Sequence, residues 1–216
     1  MATQVHVESA AVDRLAELDL TAELIERVVR RADAEASTCT RLDPPIMEGI
    51  MRWARTTRFL REDLVVAGWR YDNPWNLSRT IHPSGEFAIV VTTGDEMTAV
   101  AEVMPRTKYP KGFATASAVV INEQLAFEYE GFSADQAEGE AQDAGDLRTW
   151  LLLFHVDDEG FHVELSLPDA IVDGHITSWI ERIILPVFPR DDDVLAMPAA
   201  PGDDGQGDVV VEVSRR

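Results

Sequence analysis

The stretch WLLLFHVDDEGFHVELSL, residues 150–167, decides the fold. Two apolar runs flank Asp157-Asp158-Glu159-Gly160, a turn composition, so Leu147 to Leu167 reads as a β-hairpin. If Val156 stands opposite Phe161, His155 faces His162 across the strands. Trp150, Leu152, Phe154, Val156, Phe161, Val163, Leu165 and Leu167 then share one wholly apolar face. Leu151, Leu153, His155, His162, Glu164 and Ser166 take the other. A competing register makes Gly160 a bulge residue and moves His162 and Glu164 to the side of Phe154 and Val156. Burial of one continuous apolar face favours the first register.

Downstream, Asp173 is placed to cap a helix. Ile176, Trp179, Ile180, Ile183 and Ile184 follow at i, i+3, i+4, i+7 and i+8, and Pro186 and Pro189 stop it. Upstream, Phe87 to Thr92 is the strongest strand, and its Ala88-Ile89-Val90-Val91 run implies burial on both faces. Residues 77–82 and the turn Pro83-Ser84-Gly85-Glu86 lead into it. Residues 113–125 carry alanines that favour helix, against Val119, Val120 and Ile121 that favour strand; helix is preferred. Near the N-terminus, helices are expected over 10–18, over 22–36 behind a Thr21 cap, and over about 46–60 with Ile46, Ile50, Trp53 and Ala54 as the apolar stripe.

The sum is an α+β protein: N-terminal helices, an antiparallel or mixed sheet from two β units, and a C-terminal amphipathic helix packed on the sheet. A single domain over 1–189 would comprise a helical part (10–61), a β-rich part (65–130), a mobile acidic segment (131–146) and a hairpin-helix (147–186). Residues 190–216 read as a disordered acidic tail, in which Val209-Val210-Val211 could add an edge strand. One cysteine, Cys39, excludes an internal disulfide and suggests a reducing, cytoplasmic setting, with the thiol buried. No apolar run is long enough to span a bilayer, so no membrane is expected.

Charge is uneven. Of the formal net charge of −20, residues 1–79 hold −2 and residues 80–216 hold −18. Such acidity disfavours nucleic-acid and anionic-membrane partners and favours a basic protein surface. The expected function is therefore a non-catalytic binding or regulatory accessory, its acidic surface engaging a basic partner. The rival is an enzyme or sensor for a small phosphate- or carboxylate-bearing ligand. It centres on the loop after Gly94, where both lysines of the chain fall. Asp95, Glu96, Arg106, Lys108, Tyr109 and Lys111 leave the end of a buried strand there, a common home for ligands. Gly94 would let a backbone approach that ligand.

A further alternative is nucleic-acid binding through Arg52, Arg55, Arg58 and Arg61, which recur every three residues on the third helix. The competing expectation pairs these arginines with carboxylates of the acidic half. His155, His162 and Glu164 are weak metal candidates of the right donor types, though two such histidines more often just fill a cross-strand position. Serine-hydrolase, zincin, paired-cysteine, phosphate-loop and dinucleotide signatures are missing, and no motif points to a cofactor. Whether the chain is an enzyme stays open at this level.

Several stretches resemble a group of proteins of high-GC actinobacteria and their mobile elements. They are Cys39-Thr40 with Asp43-Pro44, Leu60-Arg61-Glu62 with Gly68-Trp69, Gly94-Asp95-Glu96, and Thr107-Lys108-Tyr109-Pro110-Lys111-Gly112. The segment from Trp150 to Pro186 resembles it too. The resemblance implies a bacterial or phage origin and brings no activity with it.

Overall fold

The computed structural model describes residues 2–129 and 147–190. The strands are β1 (Gln4–His6), β2 (Arg70–Asp72), β3 (Arg79–Ile81), β4 (Phe87–Thr93), β5 (Arg148–Val156), β6 (Phe161–Val172) and β7 (His175–Ile184). The helices are α1 (Glu8–Glu17), α2 (Ala22–Ala36), α3 (Met47–Val66) and α4 (Phe113–Tyr129). All seven strands join one mixed sheet, ordered β1-β7-β6-β5-β4-β3-β2. The fold is α+β. Two neighbouring pairs are parallel, β4 with β5 and β1 with β7. The first of these requires a crossover, and α4 lies within it.

The β5–β6 hairpin takes the apolar-face register, with His155 opposite His162 and Val156 opposite Phe161. Trp150, Leu152, Phe154, Phe161, Val163, Leu165 and Leu167 all enter one core with Phe87, Ile89 and Val91 of β4. Helices α1, α2 and α3 cover that face. In α2, the Thr21 hydroxyl accepts from Leu24 N at 3.1 Å, as a capping residue should, and Ile25, Val28, Val29 and Ala32 face the sheet. The opposite face gathers Val90, Leu151, Leu153, Ile176 and Trp179 beneath Val119 of α4. There the Asn122 side chain holds both backbone groups of Thr149, accepting from its N–H at 2.7 Å and donating to its carbonyl at 2.9 Å. Buried backbone polar groups need such partners, and a single amide supplies two.

Helix α3 runs past the expected end at residue 60. Gly68, at φ +90°, then terminates it. Its N–H bonds Val65 O at 3.0 Å, and Trp69 N–H bonds Leu64 O at 3.2 Å. This paired C-terminal cap needs the left-handed conformation that glycine adopts without penalty. The residues α3 buries are Thr56, Thr57, Phe59, Leu60 and Leu64. The expected stripe is displaced: Ile46, Ile50, Trp53 and Ala54 all stay exposed.

The expected C-terminal helix is strand β7. Its pairing with β6 shows why the sequence misleads. Ala170 pairs with Ser178 and Ile171 with Ile176, which leaves Thr177 as an extra residue on β7. Leu167 pairs with Glu181 and Pro168 with Trp179, which leaves Ile180 extra as well. Each bulge resets the alternation of faces. Buried residues fall at 176, 179 and 181–184, and the apolar ones among them, 176, 179, 183 and 184, imitate a helical period. The four isoleucines and Thr177 suit a pleated strand better than a helix.

The segment 131–146, the tail 190–216 beyond Arg190, and Val209–Val211 lie outside the described residues, so the expectations made for them stand apart from this fold. Cys39 is half-buried and free, not buried as expected. Among the described residues no helix is long and apolar enough to cross a membrane.

Candidate ligand site

The site begins where β3 stops. Strand β3 pairs with β4 only as far as Arg79 opposite Val90, whereas β4 continues to Thr93. The flank of β4 beyond Val90 is therefore open to other partners. Trp53 of α3 reaches in and donates its indole N–H to Val91 O at 3.0 Å, and Lys108 N–H bonds Thr93 O at 3.0 Å. Between α3, the end of β4 and the loop of Lys108 lies a cavity of about 500 Å³. Ile46, Ile50, Trp53, Leu77, Phe154 and Tyr109 form much of its apolar wall. Thr92, Lys108, Lys111 and His155 supply polar groups. This explains the exposed stripe of α3: its first three turns face the cavity and not the core.

The loop from Gly94 to Gly112 is strapped across the sheet face opposite α1–α3. The strap starts with a close approach. A Cβ on Gly94 would collide with the Thr98 side chain. The expected role of Gly94, admitting a ligand, is thus filled by the protein's own Thr98. Next, Ala99 N–H bonds Glu164 Oε2 at 2.9 Å. Arg182 donates to Val103 O at 2.7 Å, to Val100 O at 3.1 Å and to Glu164 Oε2 at 2.6 Å. Both charged side chains are fully buried. Ser166 donates a further bond to Glu164. Further along, Trp179 holds Pro105 O at 3.0 Å, Thr107 exchanges bonds with Ile176, and Lys111 N–H bonds Gly174 O. These tethers fix where Lys108, Tyr109 and Lys111 stand.

Lys111 has an unusual setting. The residue is half-buried, and its polar partner is the Thr92 hydroxyl, to which Nζ donates. Among the described residues no carboxylate stands within ion-pair distance of it. Burial alone pushes the Lys111 pKa down to about 8. The His155 imidazole is also held below its ordinary value, chiefly by burial and further by His162 and Lys108, with Asp157 and Glu96 opposing.

No family model, curated protein or solved structure matches this chain. The residues themselves must carry the reading. Of the six loop residues expected to bind a ligand, Lys108, Tyr109 and Lys111 line the cavity. Asp95 is instead used in its own turn, its carboxylate accepting from Met97 N–H at 3.2 Å. Glu96 and Arg106 are exposed and line no part of the cavity. Trp53, Ile46, Ile50 and Thr92 were not expected there. The one sequence signal for them was an apolar stripe at the start of α3, indistinguishable from a core stripe.

The arginine row is engaged, but not by the acidic half. Arg52 pairs with Asp33 and Glu48, Arg55 with Glu35, and Arg58 with Glu62. Arg61 donates to Asp72 O, Asn73 Oδ1 and Arg79 O. The carboxylates come from α2 and from α3 itself, because those helices pack side by side. The metal candidates also separate. His162 bonds Asp157 and Glu164 is committed to Arg182, so His155 and His162 share only a ring contact at 6.1 Å. Among the described residues no group of three His, Cys, Asp or Glu is placed to hold a metal ion. Of the −18 carried by residues 80–216, more than half falls in residues 130–146 and 191–216, outside the described surface.

Proposed function

We propose that this protein binds a small ligand with an apolar body and an anionic head, seated in the cavity at the end of β4 with its head at Lys111. The observation that carries the reading is a half-buried lysine ammonium at a largely apolar cavity, with the Thr92 hydroxyl as its hydrogen-bond partner and no carboxylate paired with it among the described residues. Burying an unpaired cation is unfavourable, so a fold that retains one is poised for a partner of opposite sign. The cavity volume suits a ligand of drug-like size, and its mix of apolar wall and few polar groups is that of a binding site. Lys108 and His155 line the same wall and can adjust the head group. Ligand binding would then explain the tethered loop, since a fixed cation binds at lower entropic cost than a free one.

The test compares alkyl carboxylates of six to twelve carbons with alcohols of equal length, read by thermal shift and calorimetry. The carboxylates should stabilise the protein more than the alcohols, and Lys111→Met should remove the difference. Affinity should fall as pH rises through about 8, where Lys111 loses its proton. Arg52, Lys108, Tyr109 and His155 also line the cavity. Equal binding of carboxylates and alcohols would sink the reading.

A further inference from the structure

Lys111 is placed as more than an anion anchor. Its Nζ donates to the Thr92 hydroxyl, which leaves the lone pair of the unprotonated amine directed elsewhere. Lys111 lines the cavity together with Trp53, Phe154, Val90 and Leu151. No carboxylate among the described residues holds the group in its charged form. A primary amine in an apolar recess, with a free approach, is the arrangement that lysines use to capture carbonyl groups.

We propose that Lys111 captures a carbonyl-bearing ligand, an apolar aldehyde or 2-oxo acid, as a reversible imine. This rests on the cavity being the ligand site. The Lys111 nitrogen adds to the carbonyl carbon, the π pair moves to oxygen, and a proton passes from nitrogen to oxygen to give a carbinolamine. The nitrogen lone pair then expels the hydroxyl, which takes up a proton and leaves as water. The iminium proton is returned to solvent at the cavity mouth or to His155, which lines the same wall. Amine and carbonyl give imine and water, with no oxidant or reductant needed. A pKa near 8 leaves roughly a tenth of the Lys111 amines neutral at pH 7, against about one in three thousand for a lysine at its ordinary value. An apolar wall also favours the neutral imine over its charged precursor amine.

The chain is suited to a direct test because it has only two lysines. Lys108 lines the same cavity but is exposed, so it serves as the internal reference for a lysine near the ligand without the partial burial of Lys111. The full chain is incubated with phenylpyruvate or hexanal at pH 7, reduced with cyanoborohydride, and peptide-mapped by mass spectrometry. Adduct should form at Lys111 at least tenfold faster than at Lys108. Lys111→Arg, which keeps the charge but has no primary amine, should lose it. Phenyllactate, which keeps the carboxylate and ring but has no carbonyl, is titrated in parallel by calorimetry. If phenyllactate binds but Lys111 is labelled no faster than Lys108, the imine is refuted and the cavity reading survives. If phenyllactate does not bind and neither carbonyl probe labels Lys111, both fall.

Discussion

The two faces of the central sheet are built on different principles. The face under α1, α2 and α3 is a continuous apolar core, and the charges associated with those helices mostly lie at its margin. Arg27 with Asp63 and Arg31 with Glu62, for example, join α2 to α3 at the surface. The opposite face buries few apolar side chains and many polar ones, among them Glu164, Arg182, Ser166, Thr92, Thr149 and Asn122. Apolar packing is non-directional and tolerates many arrangements. Hydrogen-bonded charges are directional, and they suit a face that must hold an irregular loop in a single place. The first face makes the fold stable. The second makes a site.

Breaking the buried pair should have the largest effect. Arg182→Met leaves the Glu164 charge without its partner inside the protein, so stability should fall by about 3–5 kcal/mol in urea unfolding. The amide protons of Ala99, Thr107 and Lys108 should lose hydrogen-exchange protection beyond that global loss. Adding Glu164→Leu should recover most of the stability without restoring the loop. If the single substitution costs less than about 1 kcal/mol, the contrast between the faces is wrong.

A deletion on the helical face gives the counterpart. Leu165→Ala should cost about 2–5 kcal/mol through lost burial and the cavity left behind. Here loop protection should fall only in step with global stability. A selective loss at residues 94–107 would show that the faces are not separable.

Lys111 should behave oppositely. Its folded pKa, about 8, lies below the value of 10.5 expected when it is exposed. Between those values the unfolded chain binds the proton and the native chain does not, so native stability rises with pH. Below pH 8 the native state bears the full cost of the buried charge. Lys111→Met should therefore stabilise the protein at pH 7 by roughly 1–2 kcal/mol, and the gain should vanish by pH 10 to 11. A destabilised Lys111→Met variant at pH 7 would mean that Lys111 is a structural element and not a strained site residue.

The smallest effect belongs to the surface. Arg27→Ala removes an exposed pair with Asp63 and should cost no more than about 1 kcal/mol, diminishing with added salt. A cost comparable to Leu165→Ala would move part of the helical face's stability from apolar packing to ion pairs.

Much of this molecule is legible without coordinates wherever one physical constraint dominates. The Asp157–Gly160 turn and the uninterrupted apolar face favour the β5–β6 register that the structure takes, because the alternative would break up that face. Thr21 marks the start of α2 by its hydroxyl, and Phe87 to Thr92 marks a doubly buried strand by its unbroken Ala88–Val91 run. Lys108, Tyr109 and Lys111 stand out by position after such a strand. Other features depend on distant partners. The bulges at Thr177 and Ile180 make β7 look helical, and only its pairing with β6 and β1 resolves the ambiguity. The apolar stripe of α3 signals burial but not what it faces, and the early end of β3 turns it toward a cavity. Glu164 looked like a spare metal ligand until Arg182, eighteen residues on, met it inside the sheet.

The sequence by itself determined the α+β class, the hairpin, a preference between its two registers, and the loop that holds the lysines. Those follow from alternation, caps and turn chemistry, which act over a few neighbouring residues. Tertiary structure alone decided that β7 is a strand, that Arg182 and Glu164 pin the loop, and that Lys111 meets Trp53 across one cavity. Each of those is a contact between segments far apart in the chain, and local propensity carries no record of the partner.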